Sequence, residues 1–242
     1  MHFIIFSLIC FIGGVLSSVV GVGGGILVLS LILTTTPFLV GSALHSIIMM
    51  IANIQKAIML KSYVKRDVVL RFIAGAIPGA LTGAFVVSLI PEHIMYFVFG
   101  IFLLIFCFLE IIKTGLNYSV RLKDFYWIGG VTGFSAGVLG APGPIHAPFF
   151  MKYGLSKEAF IATASMTTLI VHLSKIGVFL NLGVFEKIQP IMLILGIVNT
   201  LIGVYVGVIF LKKMRSETFD RIMVYVLGIL GTYYILKASK IL

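Results

Sequence analysis

Apolar residues fall in ten stretches cut by charges or by Gly/Pro clusters: 3–20, 25–40, 42–60, 68–90, 94–112, 126–139, 144–151, 158–182, 188–211 and 218–236. A helix needs about 20 residues to cross the hydrocarbon of a bilayer. Six stretches suffice: 42–60, 68–90, 94–112, 158–182, 188–211 and 218–236. The other four form two pairs. One pair is interrupted at Gly21-Val22-Gly23-Gly24-Gly25, the other at Gly137-Val138-Leu139-Gly140-Ala141-Pro142-Gly143-Pro144. Limbs 126–139 and 144–151 are too short to cross alone. Each pair is therefore expected to be a broken-helix hairpin that enters the membrane and returns to the side it left.

The distribution of positive charge tests this, because cytoplasmic loops collect Lys and Arg. If each pair were one continuous span, Lys and Arg would divide ten inside to six outside. With hairpins, Lys152, Lys157, Lys212, Lys213, Arg215 and Arg221 join the inner side, and the division becomes thirteen to three, with only Lys187, Lys237 and Lys240 outside. Hairpins are preferred. Each half is then one hairpin plus three crossings, an odd number, so the second half enters from the opposite face. That layout is an inverted repeat.

The halves also resemble each other in sequence. Ile12-Gly13-Gly14-Val15 recurs as Ile128-Gly129-Gly130-Val131, and Gly21-Val22 as Gly137-Val138. Gln55-Lys56-Ala57-Ile58 matches Ser174-Lys175-Ile176-Gly177, Gly83 matches Gly203, and Tyr96–Ile101 resembles Tyr225–Ile229. Matches in order at slowly growing offset are the mark of a duplicated unit. The fold expected is an all-α polytopic membrane protein of two inverted repeats, each a broken-helix hairpin plus three transmembrane helices. The first repeat is 1–112, the second 126–242, and the polar stretch 113–125 is the cytoplasmic joint.

Composition agrees. Of 242 residues, 60% are hydrophobic and 11% charged, against about 45–50% and about 25% in soluble domains. This excludes a soluble enzyme and a disordered tail. The net charge of +10 suits loops facing anionic lipid rather than a nucleic acid, for which no solvated face is available. Cys10 and Cys107 lie inside apolar runs and read as small buried hydrophobes. The first 20 residues read as mature protein, since Met1, His2 and Phe3 include no Lys or Arg and no A-x-A site follows.

The Gly-rich break 21–25, its counterpart 137–144, the basic joint and the two-half layout resemble the TauE/SafE family of membrane transporters, the sulfite exporter family. The second break, Gly140-Ala141-Pro142-Gly143-Pro144, departs from the family's G-x-G-G-G pattern. The resemblance implies a multi-pass cell-membrane transporter of small organic or sulfur-containing anions such as sulfite, sulfonates or thiosulfate.

Two groups of residues are candidates for contact with such an anion. Broken helix ends expose N–H groups that attract negative charge. Residues 24–27 and 143–147 open the second limbs, which nominates Gly23, Gly24, Gly25, Gly140 and Gly143; the alternative role is close helix packing. Polar side chains inside spans are costly and usually face a bundle interior. Ser46, Asn53 and Lys56 share one face of 42–60, and Ser165, His172 and Lys175 have the same spacing on 158–182. The lysines are expected to draw in the anion; the alternative is snorkelling to the interface. His172 and His45 are the candidate proton carriers, and His45 lies near a span start where an interfacial place would also suit it. Asn199 and Thr200 read as packing glue.

The function expected is secondary transport of small anions by alternating access, with H+ or Na+ as coupling ion and a homodimer both left open. No metal site or cofactor is expected, and no Walker A motif is present. An anion channel is one alternative. Another is an intramembrane serine protease, because Gly133-Phe134-Ser135-Ala136-Gly137 fits G-x-S-x-G with His172 or His146 as base.

Overall fold

The computed structural model describes residues 2–19, 24–112, 119–211 and 217–239. Gly21, Val22 and Gly23 of the first break, Lys113, Thr114, Asn117 and Tyr118 of the joint, and Lys212, Lys213, Arg215 and Lys240 of the charge tally lie outside these residues. Among the described residues there are ten α-helices: α1 (His2–Val19), α2 (Gly24–Ile32), α3 (Phe38–Met59), α4 (Arg66–Leu89), α5 (Glu92–Ile112), α6 (Phe125–Leu139), α7 (Gly143–Lys152), α8 (Lys157–Asn181), α9 (Pro190–Phe210) and α10 (Glu217–Ala238). No strand occurs among them.

Helices α3, α4, α5, α8 and α9 are each long and apolar enough to cross a membrane. Their outer faces carry apolar stripes such as Ile194, Val198, Ile202, Tyr205 and Ile209 on α9, the surface a helix offers to lipid. Tyr126 and Trp127, at the start of α6, are exposed, as an interfacial aromatic pair should be.

Both interrupted pairs are hairpins. A side chain at Gly24 would strike the backbone of Ser17 and Gly13, and one at Gly13 would strike Val28. That crossed register makes α2 fold back along α1. In the second pair α6 stops at Gly140, whose φ of 84° is a left-handed cap that ends a helix with little strain only at Gly. The chain then returns through α7, bringing Trp127 against Phe149 and Phe125 against Phe150.

One boundary differs from expectation. The stretch 25–40 ends as helix at Ile32, and α3 begins at Phe38 rather than 42. The hydroxyls of Thr34, Thr35 and Thr36 bond carbonyls one turn back, and Pro37 precedes the new helix, so the chain turns there.

The repeated Gly-Gly pair has a packing explanation. Helix α6 lies parallel to α4 along a seam in which Gly75, Gly79 and Gly83 meet the backbone at Tyr126, Gly130 and Phe134. Helix α1 lies parallel to α9 in the same manner, with Gly14 against Thr200 and Gly207 against Val15. Small residues let backbones approach closely, which is how helices associate without a hydrophobic driving force. Thr200 adds a hydrogen bond to the Cys10 carbonyl (3.3 Å), while Asn199 bonds its own helix at Leu195. The G-x-S-x-G stretch belongs to this seam: it lies inside continuous α6, with Gly133 against Ala76 and Gly137 against Gly83. The strand–turn–helix elbow that such a motif needs is not formed there.

At the centre α3 and α8 run antiparallel. Ser42 meets Lys175, and one turn on His45 meets His172. Helices α5 and α10 are also antiparallel, with Tyr96 stacked on Tyr234 and the Cys107 thiol donating to the Val224 carbonyl. Exchanging the first five helices for the last five leaves this scheme of partners unchanged: α4 with α6 becomes α9 with α1, while α3 with α8 and α5 with α10 map onto themselves.

Candidate functional site

The two hairpin tips, α3 and α8 enclose a cavity of about 50 Å³, room for a few water molecules or one small ion. The first tip contributes Gly25 and Ile26, the second Ala141, Pro142, Gly143 and Pro144. Helix α3 contributes His45, Met49, Asn53 and Lys56, which recur every three or four residues and so form one face; α8 contributes Ile161, Ala164, Ser165, Thr168 and His172. Ser17 and His146 complete the wall. A second, shallower groove, between Phe3–Phe11 and Leu195–Asn199, is mainly apolar and lies on the outer face of α1 and α9.

Among the described residues, Lys56 is the one cation in the wall. It is 5% exposed, and its Nζ donates to Ser17 Oγ at 3.4 Å. This placement is not snorkelling: the ammonium turns inward to a hydroxyl of α1. Among the described residues the ion pairs are Arg71 with Asp67 and Arg121 with Asp124, so neither Lys56 nor Lys175 has a carboxylate there. A lysine at membrane depth costs about 2.5–3.5 kcal/mol on insertion scales, and one long hydrogen bond to a hydroxyl offsets little of that.

His45 is not interfacial. It is 1% exposed, and its Nε2 lies 2.8 Å from the Gly25 carbonyl. A carbonyl only accepts, so Nε2 carries the hydrogen. The bond ties the first hairpin tip to α3. The ring stands edge-on to His172 with centroids 5.5 Å apart, and the Nδ1 atoms of both histidines are buried without a partner among the described residues.

The glycines divide by role. Gly24 is buried against the backbone of α1 and serves packing. Gly25 faces the cavity; a methyl there would make only ordinary contact with Met49 Sδ (3.6 Å) and His45 Nε2 (3.9 Å). Gly140 makes the break but does not line the cavity, whereas Gly143 does. Gly23 lies outside the described residues.

The expectation of a row of bare amides at 143–147 is narrowed. Pro144 has no N–H, and those of Ile145 and His146 both donate to the Pro142 carbonyl (3.1 and 3.2 Å). In that first turn the Gly143 N–H is left. The positive character of the site therefore comes chiefly from the Lys56 side chain.

Of the two polar faces read from sequence, the cavity takes Asn53 and Lys56 from the first and Ser165 and His172 from the second. Ser46 and Lys175 do not line it. Ser46 is fully buried and bonds the Ser42 carbonyl (2.7 Å). Lys175 is 0% exposed, with Nζ 3.5 Å from Ser42 Oγ and 5.7 Å above the Phe179 ring. Sequence reading missed Ser17, Met49 and Thr168, and named His146 only as a base for the protease alternative. Met49 was readable, since it continues the face of Asn53 and Lys56 by one turn. Ser17 and His146 come from other helices, and nothing local to either marks it as part of this wall.

The family model described as Sulfite exporter TauE/SafE matches residues 6–234. No curated protein and no solved structure matches the chain.

Proposed function

Because the chain belongs to the sulfite exporter TauE/SafE family, a family of membrane transporters, we propose that it is a secondary carrier that moves small sulfur oxyanions such as sulfite through the Lys56 cavity. The observation that carries this reading is a buried ammonium without a carboxylate partner, facing a small polar cavity between two helix breaks. The cavity volume favours a compact oxyanion over an extended sulfonate. Lys56 supplies the charge; Asn53, Thr168 and the Gly143 N–H supply hydrogen bonds, joined by the Ser165 hydroxyl when it turns from the Ile161 carbonyl to the anion.

Alternating access is the proposed mechanism, with the two halves acting as inverted repeats. Its support is the antiparallel pairing of α3 with α8 and of α5 with α10, together with the scheme of helix partners that survives exchange of the halves. The proton is the proposed coupling ion. The described lining residues include three histidines and no carboxylate, a set better suited to carrying H+ than to binding Na+.

Flux of labelled sulfite into proteoliposomes tests the reading. Lys56→Ala is expected to reduce flux at least about tenfold, the least that losing a charged hydrogen-bond partner should cost, with unchanged yield of folded protein. Wild-type flux in that variant would remove Lys56 from the path. Saturation and counterflow are expected; ohmic single-channel currents would instead make the protein a pore.

A further inference from the structure

The cavity samples two stripes that run in opposite directions. It takes the Lys56 end of the α3 stripe and the Ser165 end of the α8 stripe, and these lie together because the helices are antiparallel. The remaining ends, Ser42 and Ser46 on α3 and Lys175 on α8, also lie together, yet all three are 0% exposed. They form a polar cluster with a cation and no described carboxylate, sealed from the cavity and from the surface.

What lies over that end is a set of polar contacts from α5 and α10 to the α2–α3 segment. Helix α2 stops and its last carbonyls are held by side chains of α5 and α10. Tyr234 donates its hydroxyl to the Ser30 carbonyl. Lys237 Nζ donates to the Leu33 carbonyl (3.3 Å) and sits 4.0 Å above the Tyr96 ring. The Tyr96 hydroxyl lies 3.2 Å from the Thr36 carbonyl and 2.8 Å from Glu92 Oε1. The same carboxylate oxygen accepts the N–H of Phe38 (2.9 Å), the first residue of α3. Apart from the Tyr96–Glu92 bond, which lies within α5, each of these bonds joins the α2–α3 segment to α5 or α10. Hydrogen bonds of this kind are each modest in net free energy, so the set can be made and broken within a transport cycle.

We propose that the Ser42–Lys175 cluster is a second, shut mouth of the anion path, latched by Glu92, Tyr96, Tyr234 and Lys237 on the end of α2. Lys175 then does at this mouth what Lys56 does at the cavity, and the two lysines meet the same anion in turn from opposite ends. The proposal rests on the carrier reading, but its test needs no anion.

The test is the rate at which a membrane-impermeant maleimide labels Ser42→Cys from the face that carries Glu92 and Lys237. The background has Cys10 and Cys107 replaced by Ala. Labelling is expected to be slow with the latch intact. It should rise about tenfold in Tyr96→Phe, the factor one net hydrogen bond is worth, and also in Lys237→Met. Asn53→Cys should label from the opposite face. Fast labelling of Ser42→Cys with the latch intact would overturn the proposal, because the end would not be shut. Equally slow labelling in both latch variants, with Asn53→Cys still reactive, would overturn it as well. Failure of sulfite flux with the expected labelling would instead count against the carrier reading alone.

Discussion

Lys56 and Lys175 occupy matching places in the two halves and have different surroundings. Lys56 faces a cavity and reaches across to α1; Lys175 is sealed between Ser42 and Phe179. Sequence similarity would make them equivalent. The difference comes from the antiparallel pairing of α3 with α8, which sets the two lysines at opposite ends of one polar seam. The result is one asymmetric cavity in a chain of two similar halves.

The largest effect that could break this comparison is a carboxylate placed beside either lysine. Ser17→Asp would pair Lys56 internally and repel the substrate. Sulfite affinity by calorimetry should fall about a hundredfold, since a charged pairing is worth about 1.5–3 kcal/mol. Ser42→Asp would pair Lys175 instead, and should leave that affinity within about twofold while slowing turnover in proteoliposomes. Equal effects of the two variants on affinity would mean that the ends are not distinct.

The next effect concerns the glycines at the two tips. Gly140 has a left-handed backbone and adjoins Leu29 and Ser42 at the shut end. Gly140→Ala should cost about 1–3 kcal/mol through strain, read as a lowered Tm. Gly25→Ala has room for its methyl, so Tm should hold while flux falls as the cavity shrinks. A Gly140→Ala protein as stable as wild type would show that the break tolerates other backbone geometry.

The smallest effect separates matched serines. Ser46 and Ser165 each bond a carbonyl four residues back (2.7 Å), but only Ser165 lines the cavity. Ser165→Ala should weaken sulfite binding about threefold, at the low end of what one hydrogen bond contributes. Ser46→Ala should leave binding unchanged. A larger loss from Ser46→Ala would move the site toward Lys175.

Much of this was legible in the sequence, for identifiable reasons. Length and apolar continuity marked α3, α4, α5, α8 and α9, because a membrane imposes a fixed span. Gly and Pro clusters marked both hairpins. Polar residues at helical spacing inside apolar spans marked Asn53, Lys56, Ser165 and His172, since such residues are too costly to face lipid. Three features were not legible. Which ends of the two polar stripes meet depends on the contacts of Ser42 with Lys175 and His45 with His172, which are far apart in sequence. Pro142 uses its carbonyl to satisfy two amides that local reading left bare. The paired glycines at 13–14 and 129–130 read as repeat markers, although the space at Gly14 is filled by the backbone of α9, that at Gly129 by the backbone of α4 and that at Gly13 by Val28 of α2.

The central claim is that Lys56, through its uncompensated charge, holds the transported anion. Thermal unfolding of the purified protein in detergent, titrated with sulfite, measures this directly, because a bound ligand stabilises the fold by mass action. Wild type and Lys175→Met should show a saturable rise in Tm over the same concentration range, and Lys56→Met should need at least about tenfold more sulfite for the same rise. A Lys56→Met titration that overlays wild type would contradict the account.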